Sequence, residues 1–138
     1  MIREKDFKKI KNTLKSKGLK ATQPRLAIGY YCLHSKEHPT AYQVEAFIKK
    51  HFPEISLASV YNTLNQFVKK GILKEVHIEK DTVRYDPMTV PQHHFYDVKT
   101  KKIYDIEWDQ VKISQNKKLL KKFNIQQSQV LMKGVIAK

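Results

Sequence analysis

The spacing of apolar side chains changes at Gly71, and this change limits the possible folds more than any other feature of the chain. Before Gly71, apolar residues recur every three or four positions in segments that predict short helices. Three of these segments begin at residues that cap helices well, namely Thr22, Thr40 and Ser56. After Gly71, residues 72–78 and 82–86 alternate in polarity around a short turn, as the strands of a hairpin do. Three helices followed by a hairpin predict a winged helix, which is a variant of the helix-turn-helix.

The second half of the chain predicts a smaller, separate unit. Residues 87–92 contain two prolines and predict a hinge. Beyond the hinge, residues 94–98 and 103–107 predict two strands joined by a hairpin turn, and residues 128–136 predict a third strand. The segment 109–123 predicts a helix that buries its apolar residues, namely Val111, Leu119, Leu120 and Phe123.

These patterns together predict an α+β chain of two domains. The winged-helix domain is expected at residues 1–86 and the smaller α+β domain at residues 93–138, with the hinge between them. A chain of 138 residues, of which 41% are hydrophobic, can form the cores that two small domains need.

The chain is strongly basic, with 27 Lys and Arg against 13 Asp and Glu, which gives a net charge of +14. Such a charge favours a polyanionic partner, whether DNA, RNA or an anionic lipid. The longest apolar stretch, residues 26–33, is far shorter than the roughly 18–20 residues that span a membrane. Because the N-terminal residues also lack an apolar signal segment, we expect a cytoplasmic protein with no membrane partner.

The residue inventory excludes several other classes of protein. The single cysteine, Cys32, rules out an intrachain disulfide and a zinc site built from several cysteines. No nucleophile–base pair, P-loop or HExxH pattern indicates an enzyme. The aromatic residues fall mostly on predicted core positions, which disfavours an RNA-binding protein that stacks bases on exposed rings.

The predicted helix that begins at Ser56 has the composition of a DNA recognition helix. Its outward positions are Ser56, Ala58, Ser59, Tyr61, Asn62 and Asn65. Hydroxyl and amide groups can bind base edges and phosphates, and apolar atoms can contact thymine methyl groups. An ordinary exposed helix face is the alternative, although such a face usually carries Glu and this one has no acidic residue.

A second candidate site consists of histidines and carboxylates near the predicted hinge. Its members are His38, Asp86, His93, His94 and Asp105. Imidazole and carboxylate ligands suit Fe(II), Mn(II), Zn(II) or Co(II). The alternative is that these are separate, solvated side chains, which is common for histidines near loops.

Several segments of the chain together resemble one family of bacterial regulators. They are GLKATQPR at 18–25, HPTA at 38–41, FPEISLASVYNTL at 52–64, GI at 71–72, RYD at 84–86, HHFY at 93–96 and KIYD at 102–105. On these residues the chain resembles the ferric uptake regulator superfamily, and most of all its peroxide-stress branch. The resemblance implies a dimeric repressor with an N-terminal winged helix and a C-terminal dimerisation domain that holds a regulatory divalent metal.

The resemblance also implies roles for particular residues. The regulatory metal, which would be Fe, Mn or Zn, is expected to have a core of ligands at His38, Asp86, His94 and Asp105. The DNA contacts of the family fall on Lys20 and Tyr61, with further members of the surface at Arg25, Ser56, Ser59 and Asn62.

The chain departs from the family pattern at two places. Asp97 and Thr100 stand where the family carries a CxxC pair, so a structural zinc bound by four cysteines is excluded. Gln92 stands at the first position of the family's His-x-His metal motif. Either the Gln92 amide oxygen binds the metal, or His93 replaces the missing histidine, or the site has one ligand fewer.

The sequence therefore predicts a homodimeric, metal-responsive repressor that binds a palindromic operator in double-stranded DNA and controls peroxide-stress or metal-homeostasis genes. In the peroxide branch, bound Fe(II) turns peroxide into an oxidant of a ligand histidine, and Gln92 removes one of those histidines. The alternative is a regulator of the same fold that binds DNA constitutively, without a functional metal switch.

Overall fold

The computed structural model describes residues 4–87 and 92–137, which form two compact units, Met1–Thr89 and Val90–Lys138. Most of the predicted hinge, residues 88–91, lies outside the described residues. No helix within the described ranges has the length and apolar character to cross a membrane.

Within its described residues, the first unit contains four helices and a two-stranded hairpin: α1 (Glu4–Ser16), α2 (Gln23–His34), α3 (Ala41–Ile48), α4 (Leu57–Lys69), β1 (Lys74–Val76) and β2 (Arg84–Asp86). The second unit contains a three-stranded sheet and two short helical segments: β3 (His93–Asp97), β4 (Ile103–Ile106), a 3₁₀ turn (Trp108–Gln110), α5 (Lys117–Lys122) and β5 (Leu131–Gly134). The α+β class predicted from the sequence is confirmed.

Side-chain caps start α2, α3 and α4 at the residues that the sequence indicated. The Thr22 hydroxyl accepts a hydrogen bond from the backbone N–H of Arg25, and the Ser56 hydroxyl accepts one from the N–H of Ser59. Thr40 forms a capping box, because its hydroxyl accepts from the Gln43 N–H while the Gln43 amide oxygen accepts from the Thr40 N–H.

The core of the first unit lies between α2 and α4. Phe67 and Leu64 of α4 and Ile28 of α2 are completely buried. Gly29 allows α1 to approach α2 closely, since a Cβ atom at this position would lie 3.1 Å from Cγ2 of Ile10. This approach adds a fourth helix to the three that make up the helix-turn-helix core.

Cys32 lies in the same core and is completely buried. Burial raises the pKa of the Cys32 thiol to about 12, so the sulfur is a neutral thiol at physiological pH. It packs as a small apolar group.

The hairpin after α4 is the wing that the change of periodicity predicted. Strands β1 and β2 are antiparallel, with Glu75 opposite Tyr85, and Tyr85 is buried against the helical core. Burial also raises the pKa of the Tyr85 hydroxyl to about 12. The paired strands are shorter than the predicted 72–78 and 82–86, and Asp81 takes a left-handed φ of 59° in the turn between them.

The sheet of the second unit has the order β4-β3-β5. Strands β3 and β4 form the antiparallel hairpin that the sequence predicted, with His94 opposite Asp105. Strand β5 covers only part of the predicted segment 128–136 and pairs with β3 in parallel.

The predicted helix over residues 109–123 is wrong. The chain forms the 3₁₀ turn, then irregular structure, and then α5, which starts anew at Asn116, whose side chain accepts a hydrogen bond from the Leu119 N–H. Leu119, Leu120 and Phe123 are exposed rather than buried, and Val111 is half-buried. A six-residue helix that restarts at its own cap cannot align these apolar residues with Val111 on one face.

Candidate metal-binding and DNA-binding residues

Two of the predicted metal ligands, His38 and Asp86, form a buried pair in the first unit. His38 Nε2 lies 3.1 Å from Asp86 Oδ2, and the two side chains are only 5% and 2% exposed. His38 lies in the loop between α2 and α3, whereas Asp86 ends β2. The backbone N–H of Tyr85 donates to the carbonyl of Pro39 at 2.9 Å, which ties this loop to the strand. This backbone hydrogen bond therefore keeps the residues that carry the two side chains next to each other.

The second unit contains the other pair, across the β3–β4 hairpin. His94 lies directly opposite Asp105, and residues that are opposite in antiparallel strands present their side chains on the same face. His94 Nε2 lies 3.4 Å from Asp105 Oδ1, and His94 is buried. Two of the four predicted core ligands thus lie side by side within each unit.

Gln92 precedes β3, two residues before His94. Its side-chain oxygen is buried and accepts no hydrogen bond from the part of the chain that the structure describes. A buried amide oxygen without a donor carries a desolvation cost, so this atom suits a cation that it can bind.

His93 lies on the other face of β3, because successive strand residues point to opposite sides. Its ring stacks on the indole of Trp108, with centroids 4.5 Å apart and planes at 8°. Nδ1 of His93 accepts a hydrogen bond from the Val130 N–H at 3.0 Å. Nδ1 of His93 is therefore used in a hydrogen bond inside the second unit, and the side chain stabilises the fold of that unit.

Asp97 closes the hairpin turn at the position where the family has the first cysteine of its CxxC pair. Its Oδ1 accepts hydrogen bonds from the N–H groups of Lys99 at 2.8 Å and Thr100 at 3.1 Å. These hydrogen bonds lower the pKa of the Asp97 carboxyl, and the bond from Thr100 has the largest effect. A carboxylate thus organises the turn at the position where the resemblance implies a cysteine pair.

We expect Asp97→Ala to lower the melting temperature of the protein at pH 7 and to have a smaller effect at pH 3, which lies below the ordinary Asp pKa of about 3.9. The folded-state pKa of Asp97 lies below the unfolded value, so its stabilisation is full above the unfolded pKa and disappears as the pH falls through the folded pKa. Thermal melts at both pH values measure the effect, with the exposed Glu54 replaced by Ala as the control. An equal loss of stability at both pH values would contradict a role for the ionised carboxylate.

The exposed face of α4 has the composition predicted for DNA recognition. Ser56, Ala58, Ser59 and Asn62 are exposed, and α4 contains no acidic residue. The N-terminal end of the helix adds a positive partial charge, which favours a phosphate. Tyr61 is half-buried, because its ring packs against the core. The tyrosine therefore joins the exposed face to the packing of the unit.

Arg25 connects the loop before α2 with α4. Its Nη1 donates to the carbonyl of Lys20 at 2.9 Å, and its Nη2 donates to the Gln66 amide oxygen at 3.0 Å. The side chain of Lys20 is exposed. Arg25 thus fixes the backbone of Lys20 relative to α4 and adds positive charge beside both.

Two residues lie near the pair of His38 and Asp86 although the sequence did not indicate a role for them there. Arg84 and Glu79 form an ion pair beside the loop that carries His38. The only signal for them was that Arg84 belongs to the RYD segment with Asp86. Trp108, which stacks on His93, gave no signal, because the contact depends on a turn that follows β4.

Comparison with known proteins identifies the family. Residues 16–133 match the model of the ferric uptake regulator family. The peroxide-responsive repressor PerR of Staphylococcus epidermidis is 34% identical over 99 residues, which is 72% of this chain and 66% of that protein. The peroxide operon regulator of Bacillus subtilis is 33% identical over 103 residues, or 75% of this chain and 71% of that protein. A solved zinc-bound manganese uptake regulator has a TM-score of 0.69 at 18% identity, covering 93% of this chain and 98% of that one. On the match of sequence and fold over most of its length, this chain belongs to the ferric uptake regulator family.

Proposed function

We propose that this chain is a homodimeric, metal-responsive transcriptional repressor that binds a palindromic operator and controls peroxide-stress or metal-homeostasis genes in the cytoplasm. Members of the family are transcription regulators, so the chain is a regulator and not an enzyme. The basic charge of +14 and the acid-free face of α4 support DNA as the partner.

The metal part of the proposal rests on two buried histidines that each lie beside a carboxylate. The distances are 3.1 Å from His38 to Asp86 and 3.4 Å from His94 to Asp105. We assign His38, Asp86, His94 and Asp105 as the core ligands of one divalent ion. Imidazole and carboxylate donors accept Fe(II), Mn(II) and Zn(II), of which Zn(II) has a higher intrinsic affinity than Mn(II). A bound ion supplies a cross-link, since its ligands come from both units of the chain.

The fifth ligand of this proposed site is the Gln92 amide oxygen rather than His93. Among the described residues no group donates to the buried Gln92 oxygen, whereas His93 faces the other side of β3 and accepts from Val130. An amide oxygen is a weaker ligand for these ions than imidazole. We therefore expect weaker metal binding than in a site with a third histidine.

The second unit carries the proposed dimer interface. Among the residues that the structure describes, its exposed large apolar side chains are Val98, Tyr104, Trp108, Ile113, Leu119, Leu120, Phe123, Leu131, Val135 and Ile136. A soluble monomer seldom exposes so much apolar surface in a unit of this size. A second copy of the chain covers this surface in our proposal, and side-chain packing replaces the four-cysteine zinc that a single cysteine cannot form.

Operator binding with and without metal tests the proposed function. Titration of the purified protein with an operator duplex, in Mn(II) and in chelator, should show a higher affinity with the metal. Metal analysis of the same sample should give about one ion per protomer when Mn(II) is in excess. Equal operator affinity in both conditions would favour the constitutive regulator of the same fold.

Tyr61→Ala is expected to weaken specific operator binding by about 1–3 kcal/mol, because the ring and hydroxyl serve base and phosphate contacts. Tyr61→Phe keeps the ring that packs on the core and removes only the hydroxyl, so it should lose a smaller part of that energy. Fluorescence anisotropy with operator and scrambled duplexes measures the effect, and thermal melts show whether the variants are folded. A folded Tyr61→Ala variant with normal operator affinity would remove α4 from the interface.

Lys20→Ala provides the contrast to that prediction. We expect its loss of affinity to be similar for operator and scrambled DNA, and the salt dependence of binding to decrease by about one released counterion. The two variants thus separate base recognition from phosphate contact.

A further inference from the structure

The loop that carries His38 has an unusual backbone. His38 has a φ of 54°, in the left-handed region that residues other than glycine seldom adopt. Two backbone contacts hold the loop against β2, namely the hydrogen bond from the Tyr85 N–H to the Pro39 carbonyl and the bridge between Thr40 and Arg84. A conformation of this kind persists only where the surroundings fix it.

The guanidinium of Arg84 contacts this loop from the side of the strand. Its Nη1 lies 3.5 Å from the carbonyl oxygens of both Glu37 and His38, and its Nε donates to Glu79 Oε1 at 2.6 Å. Arg84 is only 9% exposed, and its hydrogen bond to the His38 carbonyl is buried, whereas its bonds to Glu37 and Glu79 are partly buried. One side chain therefore binds the backbone of His38 and a carboxylate at the same time.

Arg84 and Asp86 are alternate residues of β2 and point to the same face of the strand. The strand thus presents the carboxylate that pairs with the imidazole of His38, and also the guanidinium that holds the backbone of His38. The fixed fork of a guanidinium allows this double contact, which the single ammonium group of lysine cannot reproduce.

Glu79 lies in the turn of the wing, between β1 and β2. Its bond to Arg84 therefore connects the wing turn with the loop of His38 inside the first unit.

We propose that Arg84 is a positioning residue for the metal site: it fixes His38 in its left-handed conformation beside Asp86 and, through Glu79, couples the metal site to the wing. The inference rests on the proposed function, because it takes His38 and Asp86 as ligands. Neither Arg84 nor Glu79 binds the ion itself.

Two measurements on the full chain test this role. In the metal-free protein, hydrogen exchange of the Tyr85 amide, which donates to Pro39, should accelerate in Arg84→Gln and Glu79→Gln while amides of the α4 core stay protected. In calorimetric titration, the affinity of both variants for Mn(II) should be lower by about 10-fold or more, as is typical when a group that orients a ligand is removed. Arg84→Lys should recover only part of the affinity.

Lys80→Gln is the matched control, because it removes an exposed charge from the same turn. It should leave both the amide exchange and the Mn(II) affinity unchanged. If Arg84→Gln does not fold, Arg84→Lys and Glu79→Gln carry the test. Normal Tyr85 exchange and normal Mn(II) affinity in the folded variants would overturn the proposal. If the parent chain and His38→Ala bind Mn(II) equally, the proposed metal site itself fails, and the exchange data still decide whether Arg84 fixes the loop.

Discussion

His94→Ala is expected to abolish the metal dependence of operator binding. Allosteric coupling typically amounts to about 1–3 kcal/mol, so Mn(II) should raise the operator affinity of the parent chain by about 5- to 150-fold. Loss of the imidazole beside Asp105 removes a proposed core ligand from the second unit, and this ratio should fall to about 1. Anisotropy titrations in Mn(II) and in chelator measure the ratio, and His51→Ala, which removes an exposed imidazole outside both pairs, is the control.

Gln92→His is expected to strengthen metal binding at the same proposed site. Imidazole replaces an amide oxygen, so Mn(II) should bind more tightly and repression should require less metal. His93→Ala should not mimic this gain, because its ring supports Trp108 and Val130 instead. If His94→Ala and Gln92→His both bind operator like the parent chain in either condition, the regulator acts without a metal switch.

Leu120→Glu is expected to convert the proposed dimer into monomers. Leu120 is 52% exposed on α5, three residues before the exposed Phe123, and a carboxylate buried at an apolar interface costs about 3 kcal/mol or more. The dimer dissociation constant should rise by about 100-fold or more, and operator affinity should fall because each half-site then binds separately. Sedimentation over a range of concentrations measures the first effect.

Lys118→Glu is the control for this prediction. It introduces the same side chain on α5, at a position where the helix already presents a charge to solvent. It should leave the dimer intact. Dimers that persist in Leu120→Glu would place the interface elsewhere on the second unit.

The beginnings of the helices were predictable because they depend on local chemistry. Thr22, Thr40 and Ser56 each bond an amide three residues further on, so a four-residue window contains the whole signal. The change of periodicity at Gly71 marked the wing for the same reason. Strand alternation also separates His93 from His94, although the sequence alone did not show what His93 contacts.

Contacts between distant residues account for what the sequence did not predict. The parallel pairing of β5 with β3 joins segments more than thirty residues apart, and no local pattern distinguishes it from antiparallel pairing. The apolar residues of 109–123 indicated a buried helix, whereas in one chain all of them except the half-buried Val111 are exposed. Apolar composition reveals that a residue needs a partner, and it does not reveal whether that partner belongs to the same molecule.

Chemical labelling of the buried thiol of Cys32 can measure how often the first unit opens. Because the only cysteine lies at the centre of the first unit, a thiol reagent can modify it only when the helices separate. The rate of labelling under native conditions therefore measures the opening equilibrium of the winged-helix unit alone. Repeated with Mn(II) or operator DNA present, the same measurement gives the stabilisation that each ligand confers on that unit.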